Sequence, residues 1–206
     1  MYNEPIVCKV VVVGAGLSGL QTARLLHKQG VDVHVLEANE TIGGRAKAHS
    51  FGEDGAIDVG GQWVGKNQKH VIKLLEEFGI PLYQQYSKGK AVQAYPKYGN
   101  KTFTGMIPPL SVKGLLDLQF NGINQVERLM AGVNVDEPSL SDNAIEFDNT
   151  TVESFVGTHC GTEDAKQTIA LATRCIFGAE MGEISFLFFL YALKTAGDGL
   201  CLFRGR

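Results

Sequence analysis

The chain has little of what would tie it to a metal, a disulfide scaffold or a polyanion. Its four cysteines, Cys8, Cys160, Cys175 and Cys201, include no CxxC pair and are too sparse to staple a fold, which points to a reducing compartment. No two of its histidines, His27, His34, His49, His70 and His159, lie three or four residues apart, so no helix presents paired imidazoles and no metal is expected. A formal net charge of −3 gives nucleic acid nothing to bind. The N-terminus lacks the basic segment and small-residue cleavage site of a secretion signal, so a cytoplasmic or organelle-associated protein is expected rather than a secreted one. The most apolar stretch, Ile184 to Leu193, falls well short of the roughly 20 residues a membrane-spanning helix requires. Repeats and low-complexity tracts are also missing.

What is present is an ordinary globular composition, with 44% hydrophobic and 20% charged residues, enough to bury a core over one or two domains. Val10 to Val13 is a continuous β-branched run, the signature of a parallel strand covered on both faces. Leu17, Leu20, Ala23 and Leu26 recur every three residues and predict a helix ending near Lys28-Gln29, with Gly30 as its cap. Val31, Val33 and Val35 then alternate with polar residues, completing a βαβ unit. Short strands are expected around 45–51 and 56–59, joined by a turn over 52–55. An amphipathic helix follows through Val71, Leu74, Leu75 and Phe78. The segment from Tyr83 to Phe103 shows no period. From Ser111 onward the pattern is helical: a helix capped by Ser111, an acidic loop to Asp148, helices begun by Thr150 with Glu153 and by Thr162, and a last, nearly all-apolar helix over Glu183 to Thr195. The expected architecture is α/β, a Rossmann-type βαβ nucleotide-binding segment over 1–85 followed by a mainly α-helical segment over 86–206.

The glycines carry the chemistry. Gly14-Ala15-Gly16-Leu17-Ser18-Gly19 stands directly after the first strand and opens the first helix. In such a loop the first glycine permits the tight turn, the second lets backbone approach a pyrophosphate, and the third allows close helix–strand packing. The pyrophosphate belongs at the helix N-terminus, where unpaired N–H groups favour negative charge. Glu37 closes the second strand, 23 positions after Gly14, where a carboxylate can accept from ribose hydroxyls and repel a 2′-phosphate. NADP is thereby disfavoured; NAD and FAD both remain. Gly43-Gly44-Arg45 favours FAD, since a second glycine pair with a guanidinium adds a phosphate grip that an NAD fold does not require.

With GAGLSG, Leu36-Glu37-Ala38, Gly43-Gly44-Arg45-Ala46 and Asp58-Val59-Gly60-Gly61-Gln62-Trp63-Val64-Gly65 in place, the chain resembles the flavin-containing amine oxidase family. Glu146 to Thr151 and Cys175 to Leu190 are similar to the substrate domain of its monoamine oxidase and putrescine oxidase branch, which implies that the helical segment over 86–206 is a partial substrate domain. The resemblance spans about residues 8 to 197. It implies that Gly14, Ala15, Gly16, Leu17, Ser18, Gly19, Glu37, Ala38, Gly43, Gly44 and Arg45 contact the ADP half of FAD, that Gly60, Gly61, Gln62 and Trp63 approach the flavin half, and that Cys175 lines the amine cavity. Two positions depart from the family pattern: Thr41 stands where an arginine is usual and Ala48 where a hydroxyl residue is usual. Losing one guanidinium weakens the phosphate grip without changing the preferred ligand.

The activity implied is oxidative deamination of primary amines to aldehydes, with oxygen as co-substrate and ammonia and hydrogen peroxide as products. Much of that machinery, including the aromatic pair beside the substrate and the lysine near the flavin ring, lies in a C-terminal part of the family's chain without counterpart here. The expectation is therefore a truncated chain, inactive alone, whose residues after Gly197 are not family sequence. The alternative is a non-catalytic nucleotide-binding remnant or interaction fragment.

Overall fold

Four valines in succession disfavour helix and favour strand, because two heavy atoms on Cβ restrict χ1; in the computed structural model Val10–Val13 form strand β1. The structure describes residues 5–86, 88–95, 99–105 and 109–197, and the chain divides into two units, Met1–Val64 and Gly65–Arg206.

In the first unit, β1 leads through the glycine loop into helix α1 (Leu17–Lys28) and then strand β2 (Val33–Leu36). The strands pair in parallel, Val10 opposite Val33 and Val13 opposite Leu36. Gly30 leaves the helix at φ 74°, a conformation that only glycine adopts without strain. The expectation of a strand covered on both faces is not met. Val12 packs towards Gly19 of α1, whereas Val11 is 50% and Val13 84% exposed, so the face of the β1–β2 sheet away from α1 is open. Strands β3 (Ala48–Ser50) and β4 (Ala56–Asp58) pair antiparallel across a 3₁₀ turn at Gly52–Asp54, as the sequence predicts.

The second unit begins with the expected amphipathic helix, α2 (Lys69–Glu77), after which Gly79 turns at φ 64°. In the stretch read as lacking period lies an antiparallel pair, β5 (Ala91–Tyr95) with β6 (Gly99–Phe103). Its alternation is inverted at the centre of β5, where Gln93 is buried and Val92 is exposed, so a search for apolar residues on one face finds nothing.

The single helix expected after Ser111 is α3 (Val112–Asp117), a π turn over Leu118–Ile123, and α4 (Asn124–Ala131) in continuous succession. Helix α5 (Ala144–Asp148) occupies part of the segment read as a loop. Helix α6 (Val152–His159) is capped by Thr151, whose hydroxyl accepts from the Ser154 N–H; Thr150, the expected cap, instead donates its hydroxyl to the Glu146 carbonyl at 2.8 Å. Helix α7 (Glu163–Phe177) starts at its expected cap, Thr162. The last helix, α8 (Phe186–Thr195), begins after Ser185 rather than at Glu183, which belongs to a 3₁₀ turn closed by reciprocal Glu180 and Glu183 side-chain bonds.

Helix α8 is the centre of the core. Phe186, Phe189, Leu190 and Leu193 are buried, and Phe186 stacks on Phe155 with ring centroids 3.9 Å apart while meeting the edge of Phe147 at 5.4 Å.

Helices α3 and α7 hold each other by carboxylates. Asp117, the last residue of α3, is buried and accepts from the N–H groups of Gly161 (3.2 Å) and Thr162 (2.6 Å), the Thr162 hydroxyl (2.6 Å) and the Asn121 amide (2.7 Å). Asp164, in the first turn of α7, accepts from the Ser111 hydroxyl (2.7 Å) and N–H (3.1 Å) at the start of α3. Burial raises the Asp117 pKa, but the Thr162 hydroxyl, the Asn121 amide and the two N–H groups outweigh it and bring the value to about 2. A carboxylate depressed in the folded state contributes stability that is complete above its unfolded value, about 3.9, and lost as pH falls through the folded one. Asp117→Ala is expected to cost about 2 kcal/mol. Urea unfolding between pH 5 and pH 2 should show a falling midpoint for the unaltered chain and a shallower fall for the variant.

Candidate functional site: a backbone junction at Ala15

The predicted glycine loop, acidic residue and second glycine pair converge on one small buried residue. Ala15 is 2% exposed. Its N–H donates to Glu37 Oε2 at 2.7 Å, and its carbonyl accepts from the Gly43 N–H at 2.8 Å. Gly14 donates to the Leu36 carbonyl at 2.6 Å, extending the β1–β2 ladder into the loop, and Gly16 bridges to Gly43 in parallel fashion. Three motifs separated in sequence thus share one backbone junction.

The glycines differ in why they are glycine. Gly14 lies at φ 96°, the turn that re-aims the chain into α1. A Cβ on Gly19 would be driven into the Gly14 carbonyl, with the Val12 side chain 3.3 Å away, so this residue allows α1 to lie against β1. Gly16, at φ −80°, has nothing within 4 Å of where a Cβ would stand; the backbone there faces open space rather than protein. Helix α1 begins at that residue without a side-chain cap and without an acidic residue in its first turn. Its first N–H groups therefore lack a capping side chain, the condition under which a helix N-terminus takes up a phosphate.

Glu37 sits half-buried at the end of β2. The N–H of Asn39 foremost, then that of Ala15 and the Asn39 side-chain amide, hold its pKa down to about 2, so it carries full negative charge across the physiological range. Gly43 (φ 104°) and Gly44 (φ 59°) turn the chain beside the loop, the Gly44 Cβ position lying 3.4 Å from the Gly16 Cα. Exposed Arg45 follows. Its carbonyl accepts from the Gly61 N–H at 2.8 Å and abuts Gly60, where a Cβ would clash with it. Gly60 and Gly61 thus extend the β3–β4 pair and fasten it to the backbone of Arg45. Leu17 and Ser18 form the exposed first turn of α1; Ala38, Gln62 and Trp63 are exposed in the same unit, Trp63 at 66%.

Cys175 lies elsewhere, exposed in the last turn of α7 in the second unit. Among the described residues the buried thiol is Cys160, whose pKa burial pushes up to about 11, making it an inert packing residue. Among the described residues no group of three or more histidine, cysteine or acidic side chains could hold a metal, and no helix is long and apolar enough to cross a membrane. Sequence reasoning missed Asn39, whose backbone N–H and side-chain amide both donate to Glu37 Oε1; no sequence signal singles out a donor two residues after a strand-end acid.

Residues 17–205 match the family model described as flavin containing amine oxidoreductase. The chain belongs to that family. The match continues past Gly197, where the sequence reading expects family resemblance to stop. Among curated relatives, "Probable flavin-containing monoamine oxidase A" of Dictyostelium discoideum is 36% identical over 190 residues, 92% of this chain and 41% of the relative. Human amine oxidase [flavin-containing] B is 32% identical over 92% of this chain and 36% of its own length. Among solved structures, wild-type putrescine oxidase bound to putrescine superposes with a TM-score of 0.79 at 26% identity, covering 92% of this chain and 41% of that one. Cyclohexylamine oxidase from Brevibacterium oxydans IH-35A gives 0.74 at 28% identity, over 89% of this chain and 41% of its own. The chain thus spans about two fifths of the length of these relatives, corresponding to their N-terminal part.

The two kinds of glycine should respond differently to a methyl group. Gly19→Ala is expected to cost about 2 kcal/mol through overpacking against fixed backbone, whereas Gly16→Ala, entering open space at an accessible φ, should change stability by less than about 0.5 kcal/mol. Denaturant unfolding of the two variants side by side checks this.

Proposed function

We propose that this chain carries the FAD-binding and part of the amine-binding structure of a flavin-dependent amine oxidase. The proposed reaction converts a primary amine, oxygen and water to an aldehyde, ammonia and hydrogen peroxide. The observation that supports the cofactor reading best is the junction at Ala15, where an uncapped helix N-terminus, a permanently ionised strand-end carboxylate and a second glycine pair meet. Those are the donors for a pyrophosphate and the acceptor for a ribose. The residues proposed to hold the ADP half are Gly14 to Gly19, Glu37, Ala38 and Gly43 to Arg45, with Gly60 to Trp63 towards the flavin. FAD, when bound, supplies two-electron redox chemistry that no side chain of this protein can perform. The chain's own part is to neutralise phosphate charge through N–H groups and Arg45, to engage ribose through Glu37, and to exclude a 2′-phosphate by repulsion.

For the substrate, the likeness to putrescine oxidase, cyclohexylamine oxidase and monoamine oxidases supports an amine. The second unit, with Cys175 on α7, is its proposed location. A second reading, nucleotide binding without catalysis by this chain, is favoured by one observation, the exposure of Val11 and Val13 on the open face of the two-stranded sheet.

The purified chain separates the two. Bound flavin absorbance together with amine-dependent peroxide supports oxidation, and ADP binding without peroxide supports the second reading. Under either, Glu37→Gln is expected to weaken ADP binding about 10-fold by removing a charged acceptor. Arg45→Ala should weaken it less, and the difference should shrink with added salt. Isothermal titration at two salt concentrations measures both.

A further inference from the structure

The Glu37 carboxylate is asymmetrically occupied, and one neighbour is responsible. Oε1 accepts twice from Asn39, from its N–H at 2.9 Å and from its side-chain amide at 2.8 Å. Oε2 accepts from the Ala15 N–H at 2.7 Å. A carboxylate oxygen offers about two lone-pair directions; Asn39 supplies two donors to Oε1, whereas Oε2 accepts from Ala15 alone, with the neighbouring Ala38 N–H adding only the weakest pull on the carboxylate. The last torsion of a glutamate is broad and close to twofold; two donors from Asn39 remove that freedom before any ligand arrives, and such preorganisation lowers the entropy cost of binding. Asn39 is itself exposed, so its side chain has no core-packing role that would account for it.

We propose that Asn39 is the positioning residue of the ribose site, filling Glu37 Oε1 so that Oε2 is the oxygen presented to one hydroxyl of the adenosine ribose. The proposal rests on the nucleotide reading above and adds a specificity to it: the two ribose hydroxyls are not equivalent for this chain. It also locates a determinant of cofactor affinity on a residue outside both glycine motifs.

ADP is the probe, titrated into the full chain and into the E37Q, N39A and N39D variants. Aspartate keeps the size of asparagine and its ability to close the local turn but turns the donor into an acceptor, so a purely structural role survives N39D and a donor role does not. The expected result is an ADP dissociation constant raised about 3-fold in N39A and about 10-fold or more in N39D. The Glu37 titration, followed by carboxyl NMR, should move up from about 2 in both variants, further in N39D where a like charge faces it. With the unaltered chain, one of 2′-deoxy-ADP and 3′-deoxy-ADP should bind markedly more weakly than ADP and the other nearly as well. ADP binding that is lost in E37Q but kept at full strength in N39D overturns the proposal and leaves the nucleotide reading standing, as do equal losses for the two deoxy nucleotides. An unaltered chain that ignores ADP, or E37Q binding as tightly as the unaltered chain, overturns both.

Discussion

Everything distinctive in the first unit hangs on the two backbone hydrogen bonds of Ala15. Its N–H recruits the acid that ends β2, and its carbonyl recruits the second glycine pair. A buried peptide must pair both its polar groups, and here that requirement is met by partners 22 and 28 residues further on. The constraint explains why the motifs stand in register. A shift of the Glu37 carboxylate would orphan the Ala15 N–H, and a shift of Gly43 would orphan the carbonyl, so the arrangement proposed to receive a nucleotide is also the one that satisfies the loop internally.

The same economy shapes the glycines. Gly19 and Gly60 are small because backbone carbonyls occupy the place of a side chain, and replacing either disturbs the protein before any ligand is considered. Gly16 is small for a different reason, since nothing of this protein fills the space beside it. Gly16 and Gly19, three positions apart, therefore divide into one that borders open space and one that serves packing. Sequence pattern alone places both in the same motif.

Much of the first unit was legible because its signals are local. A valine run, a period-three stripe and glycines at fixed offsets each prescribe backbone conformation within a few residues. The open face of β1 was not legible, since β-branched composition reports that a strand exists and pairs, not that both its faces find cover. The β5–β6 pair escaped because β5 buries Gln93 and exposes Val92 at its centre, reversing the usual alternation. The π turn between α3 and α4 leaves the apolar periodicity nearly unbroken and so reads as plain helix. Thr150 and Thr151 are adjacent residues of one type, and only the accepted bond from Ser154 tells which of them is the cap. Asn39 was overlooked because its partner is a neighbour rather than a distant motif.

In the second unit, the crossed carboxylates of α3 and α7 have a consequence for how that unit comes apart. Each helix supplies an acceptor for the other's first residues, Asp164 for Ser111 and Asp117 for Gly161 and Thr162. Neither end can fray on its own without stripping partners from the other. The two starts, some fifty residues apart along the chain, open and close as one event, which makes that corner of the helical unit a single cooperative element rather than two independent helix ends.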